Sequence, residues 1–191
     1  KLNLNKILDT IRLRETHSNI MKTGLGVGGY CLTKDGNFAK YSSKIFDKET
    51  FNFPLTEMGL KINKKMVSNS IDLIKDKITR LNKKKILIFG YSYKEDIDDS
   101  RNSPSKILIK NLKNYVNKIE IVDPYFQDSI KLINKKKFLN KFDILIFCVR
   151  HSDFYKLINF KKLFNLNKII FDLNHVIPKK YLSLKNSKKV Y

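Results

Sequence analysis

Four short apolar runs in the second half of the chain constrain its fold more than any other feature. They are KILIFG (85–90), the opening of KIEIVDPY (118–125), FDILIFCV (142–149) and KIIFDL (168–173). Each is rich in Ile, Leu, Val and Phe and has the length of a buried strand. Helical patterns lie between them. SPSKILIKNLKN places Ser103 to cap and Pro104 at the first helical position, and SIKLINKKKF and DFYKLINFKKLF follow. Strands alternating with helices give a parallel sheet, because two parallel neighbours need a long crossover between them. The predicted fold class is therefore α/β. Such sheets bind ligands at the carboxyl ends of their strands, here residues 91–101, 123–125, 150–153 and 174–175.

The first 81 residues read differently. Leu4, Ile7, Leu8 and Ile11 recur at helical spacing, RETHSNIMKTG breaks the period into a loop, and 36–53 show no clear period. From 55 to 81, Leu60, Met66, Val67, Ile71, Ile74 and Ile78 fit one face of a long helix, with Lys and Asp opposite. A helix of that length bridges domains or packs on a partner. Two parts are expected: a helical segment over 1–81 and an α/β domain over 82–191. The start has no initiator Met and reads like the inside of a helix, so a piece of a longer protein is expected.

Charge is the loudest feature. Lys and Arg total 39 against 18 Asp and Glu, a net +21. That balance is a footprint of nucleic-acid binders. Yet the lysines are spread along the whole chain among Asn and Ile, and no nucleic-acid-binding motif accompanies them, which favours a solvated basic surface. No apolar run approaches the roughly 18 residues of a membrane span. Cys31 and Cys148 lie far apart, and His17, His151 and His175 lack ligand spacing, so neither disulfide nor metal is expected and a reducing cytoplasm is the default.

Two segments carry candidate chemistry. GLGVGGYCLTKD (24–35) holds four of the chain's seven glycines and a cysteine. Its spacing is wrong for a dinucleotide turn and no convincing strand precedes it. Glycines do let backbone N–H groups approach a ligand, and these deliver Cys31 beside Lys34. A cysteine near a cation gains thiolate character, and Asp35 comes within reach if a helical turn begins at Cys31. Cys31 is then either a nucleophile or a packing residue. GYSYKEDIDDSRNSP (90–104) follows the first strand directly. Tyr91 and Tyr93 offer stacking faces and Lys94 a charge for phosphate, ahead of an acidic cluster and Arg101. The alternative is a polar loop that neutralises itself. Cys148, inside an apolar strand, is core; VDPY ends a strand; His151 is a weaker candidate for the site rim.

Together, in this order and roughly sixty residues apart, the two segments resemble the signatures of the nucleotide-sugar 6-dehydrogenases, the UDP-glucose/GDP-mannose dehydrogenase family. The family pattern G-x-G-x-G-G-x-C-x-x-K-D is matched by Gly24 to Asp35. The pattern Y/F-K-x-D-x-x-D-x-R-x-S is matched by Tyr93, Lys94, Asp96, Asp99, Arg101 and Ser103. The resemblance covers the middle and the C-terminal, UDP-binding part of such enzymes; the amino-terminal domain with its G-x-G-x-x-G has no counterpart here. It implies a Rossmann-like UDP-binding domain and oxidation of a sugar C6 alcohol to a carboxylate with NAD. It implies Cys31 as the nucleophile and Asp35 as the carboxylate assisting water or proton transfer. Lys22, Gly24, Gly26, Gly28, Tyr93 and Lys94 are implied as substrate-binding, and Lys34 and Arg101 as lying near the cofactor. The long helix of 55–81 is implied to form a homodimer. The chain departs from the family at Tyr30 (usually Ser in the glucose-type members), at Gly36 (often Pro), at His17 (in place of an Arg) and after Asp172, where a later Arg is replaced by Asn174 and His175, which leaves the sugar open.

Overall fold

The computed structural model describes residues 2, 4–46, 51–126, 133, 136–182 and 190–191. Its centre is a four-stranded, all-parallel sheet: β1 (Lys85–Phe89), β2 (Lys118–Val122), β3 (Ile144–Phe147) and β4 (Ile169–Asp172), in the order β2-β1-β3-β4. The register runs straight across, Ile88 opposite Ile121 on one side and Ile146 on the other. The α/β class and the four strands stand as the sequence suggests. Because the chain leaves β1 toward one edge and returns to the other, the strand order reverses between β1 and β3. The topological switch point therefore lies at the carboxyl ends of β1 and β3.

Both faces of the sheet are covered, which is why its strands are apolar throughout rather than alternating. Leu87, Phe89, Leu145 and Phe147 pack toward Phe154, Phe160, Leu163 and Val176 on one side. The Phe89 and Phe147 rings stack with centroids 4.3 Å apart. Ile86, Ile88, Ile144 and Ile146 face the other side, against α3 (Pro54–Lys77) and α4 (Pro104–Leu112). α4 begins as its sequence signals: the Ser103 hydroxyl accepts from Lys106 N–H and Pro104 stands in the first turn.

Three elements depart from the sequence reading. The stretch after Asp35 contains a helix, α2 (Phe38–Phe46), whose apolar residues Phe38, Tyr41 and Ile45 face outward, so no buried stripe marks it. DFYKLINFKKLF is two short helices, Ser152–Leu157 and Phe160–Phe164, because the Asn159 side chain caps a new start by accepting from Lys162 N–H. SIKLINKKKF lies mostly outside the described residues; its described end enters a short helix, Lys136–Leu139. α1 (Leu4–Ile11) forms where its spacing predicts.

Candidate active site

The glycine segment and the loop after β1 meet. Gly29 N–H donates to the Arg101 carbonyl (3.1 Å), and the Asn102 amide donates to the Gly29 carbonyl (3.1 Å) and reaches the Thr33 hydroxyl (3.2 Å). The Tyr93 ring lies close against this backbone: a Cβ on Gly29 would stand 2.8 Å from its Cε2. A Cβ on Gly28 would stand 2.8 Å from Tyr93 Cβ and 2.7 Å from Pro104 Cδ, so only glycine lets the two segments close up. Roughly sixty residues of intervening chain, including α3 and β1, bring the two motifs into one surface.

Two asparagines hold the rest of the glycine loop. Asn63 of α3 accepts from Val27 N–H and donates to Val27 C=O, both at 2.8 Å. Asn174, just beyond β4, accepts from Leu25 N–H (2.8 Å) and donates to the Cys148 carbonyl. Gly26 runs at φ +124°, with Asn63 close behind it, a conformation other residues rarely adopt. The amides of Leu25, Val27 and Gly29 are thus spent on scaffold. Those of Gly24, Gly26 and Gly28 have no intramolecular acceptor among the described residues; Gly28 is buried under Tyr93 and Pro104, which leaves the half-buried Gly24 and Gly26 to face outward. Neither asparagine was marked as a site residue by the sequence; only the departure at 174 drew attention to that position.

Beyond the loop the chain turns tightly at Cys31. Its carbonyl accepts from Lys34 N–H (3.0 Å) and Asp35 N–H (2.9 Å), which is the helical turn that brings Asp35 back alongside the cysteine's backbone. Cys31 is exposed. The Lys34 ammonium sits 2.5 Å from Asp35 Oδ1 and over two rings, 4.1 Å from the centroid of Tyr30 and 4.5 Å from that of Phe38. The Asp35 hydrogen bond holds Lys34's pKa above the ordinary lysine range. Arg101 approaches the same Tyr30 ring, 5.4 Å from its centroid, and grips Asp99 through Nε and Nη2 (3.0 and 2.7 Å). That grip holds the Asp99 carboxyl below, and the guanidinium above, their usual values. Tyr30 is therefore flanked by two cations, each with its own carboxylate.

The remaining expected residues fall in two places. Lys94 is exposed and makes no hydrogen bond or ion pair among the described residues. Lys22 is bound at 3.2 Å to Asp9 of α1, which Lys179 also holds at 2.6 Å. These two lysines, first Lys179 and then Lys22, keep Asp9 low. They line a cleft of about 680 Å³ at the ends of β3 and β4, with Arg150, His175 and Asp172 on its walls. Asp172 is pushed up by burial despite accepting from Val176 and Ile177 N–H. His151, expected at the rim, is fully buried against Asp123. Cys148 is buried, its thiol pushed up to about 12 by burial, consistent with core. Among the described residues no group of three His, Cys, Asp or Glu side chains is arranged to hold a metal ion.

Residues 87–179 match the UDP-binding domain of the UDP-glucose/GDP-mannose dehydrogenase family. The chain is 30% identical to the UDP-N-acetyl-D-mannosamine dehydrogenase of Methanocaldococcus jannaschii over 97% of its own length and 43% of that protein's. The chain belongs to the UDP-glucose/GDP-mannose dehydrogenase family. An NDP-N-acetyl-D-galactosaminuronic acid dehydrogenase of Ralstonia solanacearum is 27% identical over 78% of this family member and 36% of the relative. The solved UDP-D-ManNAc dehydrogenase of Pyrococcus horikoshii superposes with a TM-score of 0.70 at 26% identity, over 90% of this chain and 41% of that one. The chain spans about two-fifths of the length of the curated relatives it matches.

NAD is the cofactor that the family resemblance implies. Among the described residues no strand leads through G-x-G-x-x-G into a helix; β1 ends on the single Gly90, closed against Val149. The main dinucleotide cradle is not in this sheet. Lys34 and Arg101, on either side of Tyr30 next to Cys31, fit a narrower part: cations presented from outside to the polar groups of a dinucleotide.

Proposed function

We propose that this chain is the sugar-nucleotide-binding and nucleophile-bearing part of an NAD-dependent UDP-sugar 6-dehydrogenase. The observation that carries the reading is the joint between the motifs: Gly29 N–H on the Arg101 carbonyl, with Tyr93 laid on Gly28 and Gly29. A diphosphate needs cations and free amides, and a base needs an aromatic face. Lys94, Tyr93 and the amides of Gly24 and Gly26 are the groups of the two joined segments that would supply them, with Gly28 giving Tyr93 room to close on the loop and Lys22 at the neighbouring cleft. The names of the relatives favour an N-acetylated hexosamine as the sugar, with UDP-N-acetyl-D-mannosamine the first to try.

NAD⁺, when bound, takes a hydride in each of the two oxidations that carry an alcohol to an acid. The residues of this chain carry the steps at C6 that follow the first oxidation. Once C6 is an aldehyde, the Cys31 thiol adds across its C=O: the C–S bond forms as the π bond opens, the thiol proton passes to the oxygen, and a thiohemiacetal results. Oxidation of that adduct leaves a thioester on Cys31. Water attacks the acyl carbon, Asp35 takes its proton, the C–S bond breaks, and the sugar acid leaves with the thiol restored. Lys34 orients the Asp35 carboxylate from 2.5 Å and, with Arg101, faces the cofactor side. The division into a helical segment, 1–81, and a UDP-binding domain, 82–191, belongs to the same reading. So does a homodimer through the long helix, whose N-terminal half exposes Leu55, Met58 and Ile62.

Replacing the nucleophile tests the reading. Cys31→Ser in the full-length protein should lower acid formation by at least about a thousandfold and leave UDP affinity unchanged. Loss of UDP binding together with activity would mean that the thiol serves the fold.

A further inference from the structure

His151 stands at the head of a helix, where a polar side chain is normally exposed, yet neither it nor Asp123 has any surface. Its Nδ1 lies 3.0 Å from Asp96 N–H, and its Nε2 lies 3.0 Å from Asp123 Oδ2. A backbone N–H can only donate, so Nδ1 carries no proton; the proton is on Nε2 and is donated to Asp123. The same Asp123 oxygen accepts from Tyr91 N–H (2.6 Å) and Ser92 N–H (3.1 Å), while Oδ1 accepts from Tyr125 N–H (2.8 Å); the Ser92 hydroxyl donates to the Ile97 carbonyl (2.8 Å). Asp96 is held from two sides: its Oδ1 also accepts from Ser152 N–H (2.7 Å), and its backbone sits at φ +57°, left-handed for a non-glycine residue. Both ends of a six-residue stretch are thus tied to one buried pair, Tyr91 and Ser92 through Asp123 and Asp96 through His151. Tyr93 and Lys94 lie between the ties.

We infer that His151 is a positioning residue: through Nδ1 it fixes Asp96, and with Asp123 it sets where Tyr93 and Lys94 stand to receive a nucleoside diphosphate. This rests on the function proposed above for Tyr93 and Lys94. The pair itself touches no ligand. It acts by holding a strained loop in the one shape that lets Tyr93 lie on Gly28 and Gly29.

Two substitutions separate this role from simple packing. Asn keeps an acceptor where Nδ1 was and loses the donor to Asp123; Gln keeps a donor for Asp123 and loses the acceptor for Asp96. UDP affinity of this chain, the melting temperature, and amide exchange at Asp96 are measured for His151→Asn and His151→Gln. Both variants should melt lower. His151→Gln should lose Asp96 protection and bind UDP at least about tenfold more weakly, whereas His151→Asn should keep that protection and stay within about threefold of the unaltered chain. Equal losses in the two variants, following the melting temperature alone, would overturn the inference. So would unchanged UDP affinity and Asp96 protection in His151→Gln. If the unaltered chain does not bind UDP, the functional reading fails, and the exchange arm still decides whether His151 holds the loop. Should either variant fail to fold, ¹⁵N NMR of the unaltered chain decides: a proton on Nε2 alone supports the inference, and a proton on Nδ1 contradicts it.

Discussion

Residues 82–179 and residues 4–62 treat their apolar side chains in opposite ways. In the sheet region Ile86, Leu87, Ile88, Phe89 and their neighbours on β3 are fully buried. In the N-terminal region Leu4, Ile7 and Ile11 of α1, Phe38 and Ile45 of α2, and Leu55, Met58 and Ile62 of α3 all face solvent. α3 contains both regimes: Leu55 is 87% and Ile62 55% exposed, whereas Ile71, farther along the same helix, is 6% exposed and packs on the sheet. A sheet clad on both faces is a self-sufficient core. An apolar helix face left exposed among the described residues is the kind of surface the proposed homodimer would bury. The proposed nucleophile belongs to the second region and the proposed UDP contacts Tyr93 and Lys94 to the first, so the site lies across the boundary between a finished surface and an unfinished one.

The largest expected effect breaks the comparison on the buried side. Ile71→Ala should cost about 2–5 kcal/mol in urea unfolding of this chain, through lost burial and the cavity left behind. A loss below about 1 kcal/mol would mean that α3 is not integral to the core. Next, Lys94→Ala should weaken UDP binding by about 1.5–3 kcal/mol, the worth of a charge-assisted contact, without moving the unfolding midpoint. Calorimetric titration showing unchanged affinity would remove Lys94 from the site.

Acid should act on the sheet region through Asp123. Burial pushes this carboxyl up, but its hydrogen bonds from His151 and from the Tyr91 and Tyr125 amides outweigh burial and hold it below the ordinary value. With the folded value depressed, its stabilisation is complete above the unfolded carboxylate range and is lost as pH falls through the lowered folded value. Urea midpoints followed down from pH 6 should fall in the acid range, and Asp123→Asn should start lower and fall less steeply. A parallel slope in the variant would place the acid sensitivity elsewhere. The smallest effect is on the exposed side: Ile62→Ala should change the stability of the isolated chain by less than about 0.5 kcal/mol while weakening any self-association seen by light scattering. A core-sized loss would show that this face is already covered.

How legible each part was follows from where its information resides. The strands were readable because a doubly covered parallel sheet needs unbroken apolar runs, and Ser103–Pro104 announces α4 by local chemistry. α2 was not, because its apolar residues face outward and leave no buried stripe. The site was visible as two motifs, Gly24–Asp35 and Tyr93–Ser103, but not as one surface. The hydrogen bonds that join and hold them come from Asn102, Asn63 and Asn174, which are 73, 36 and 149 residues from their glycine-loop partners. An asparagine carries no local mark of such a role. His151 and Asp123 did carry one, since Asp123 directly follows β2 and His151 comes four residues after β3, but sequence alone does not distinguish a rim residue from a buried tie.

The most direct test is the number of NADH formed per sugar nucleotide by the full-length protein offered UDP-N-acetylmannosamine, UDP-N-acetylglucosamine and UDP-glucose in turn. Two NADH per sugar with one of them, falling to at most one with no acid formed in Cys31→Ser, is the predicted result. No NADH from any of the three, in a folded protein that still binds UDP, would contradict it.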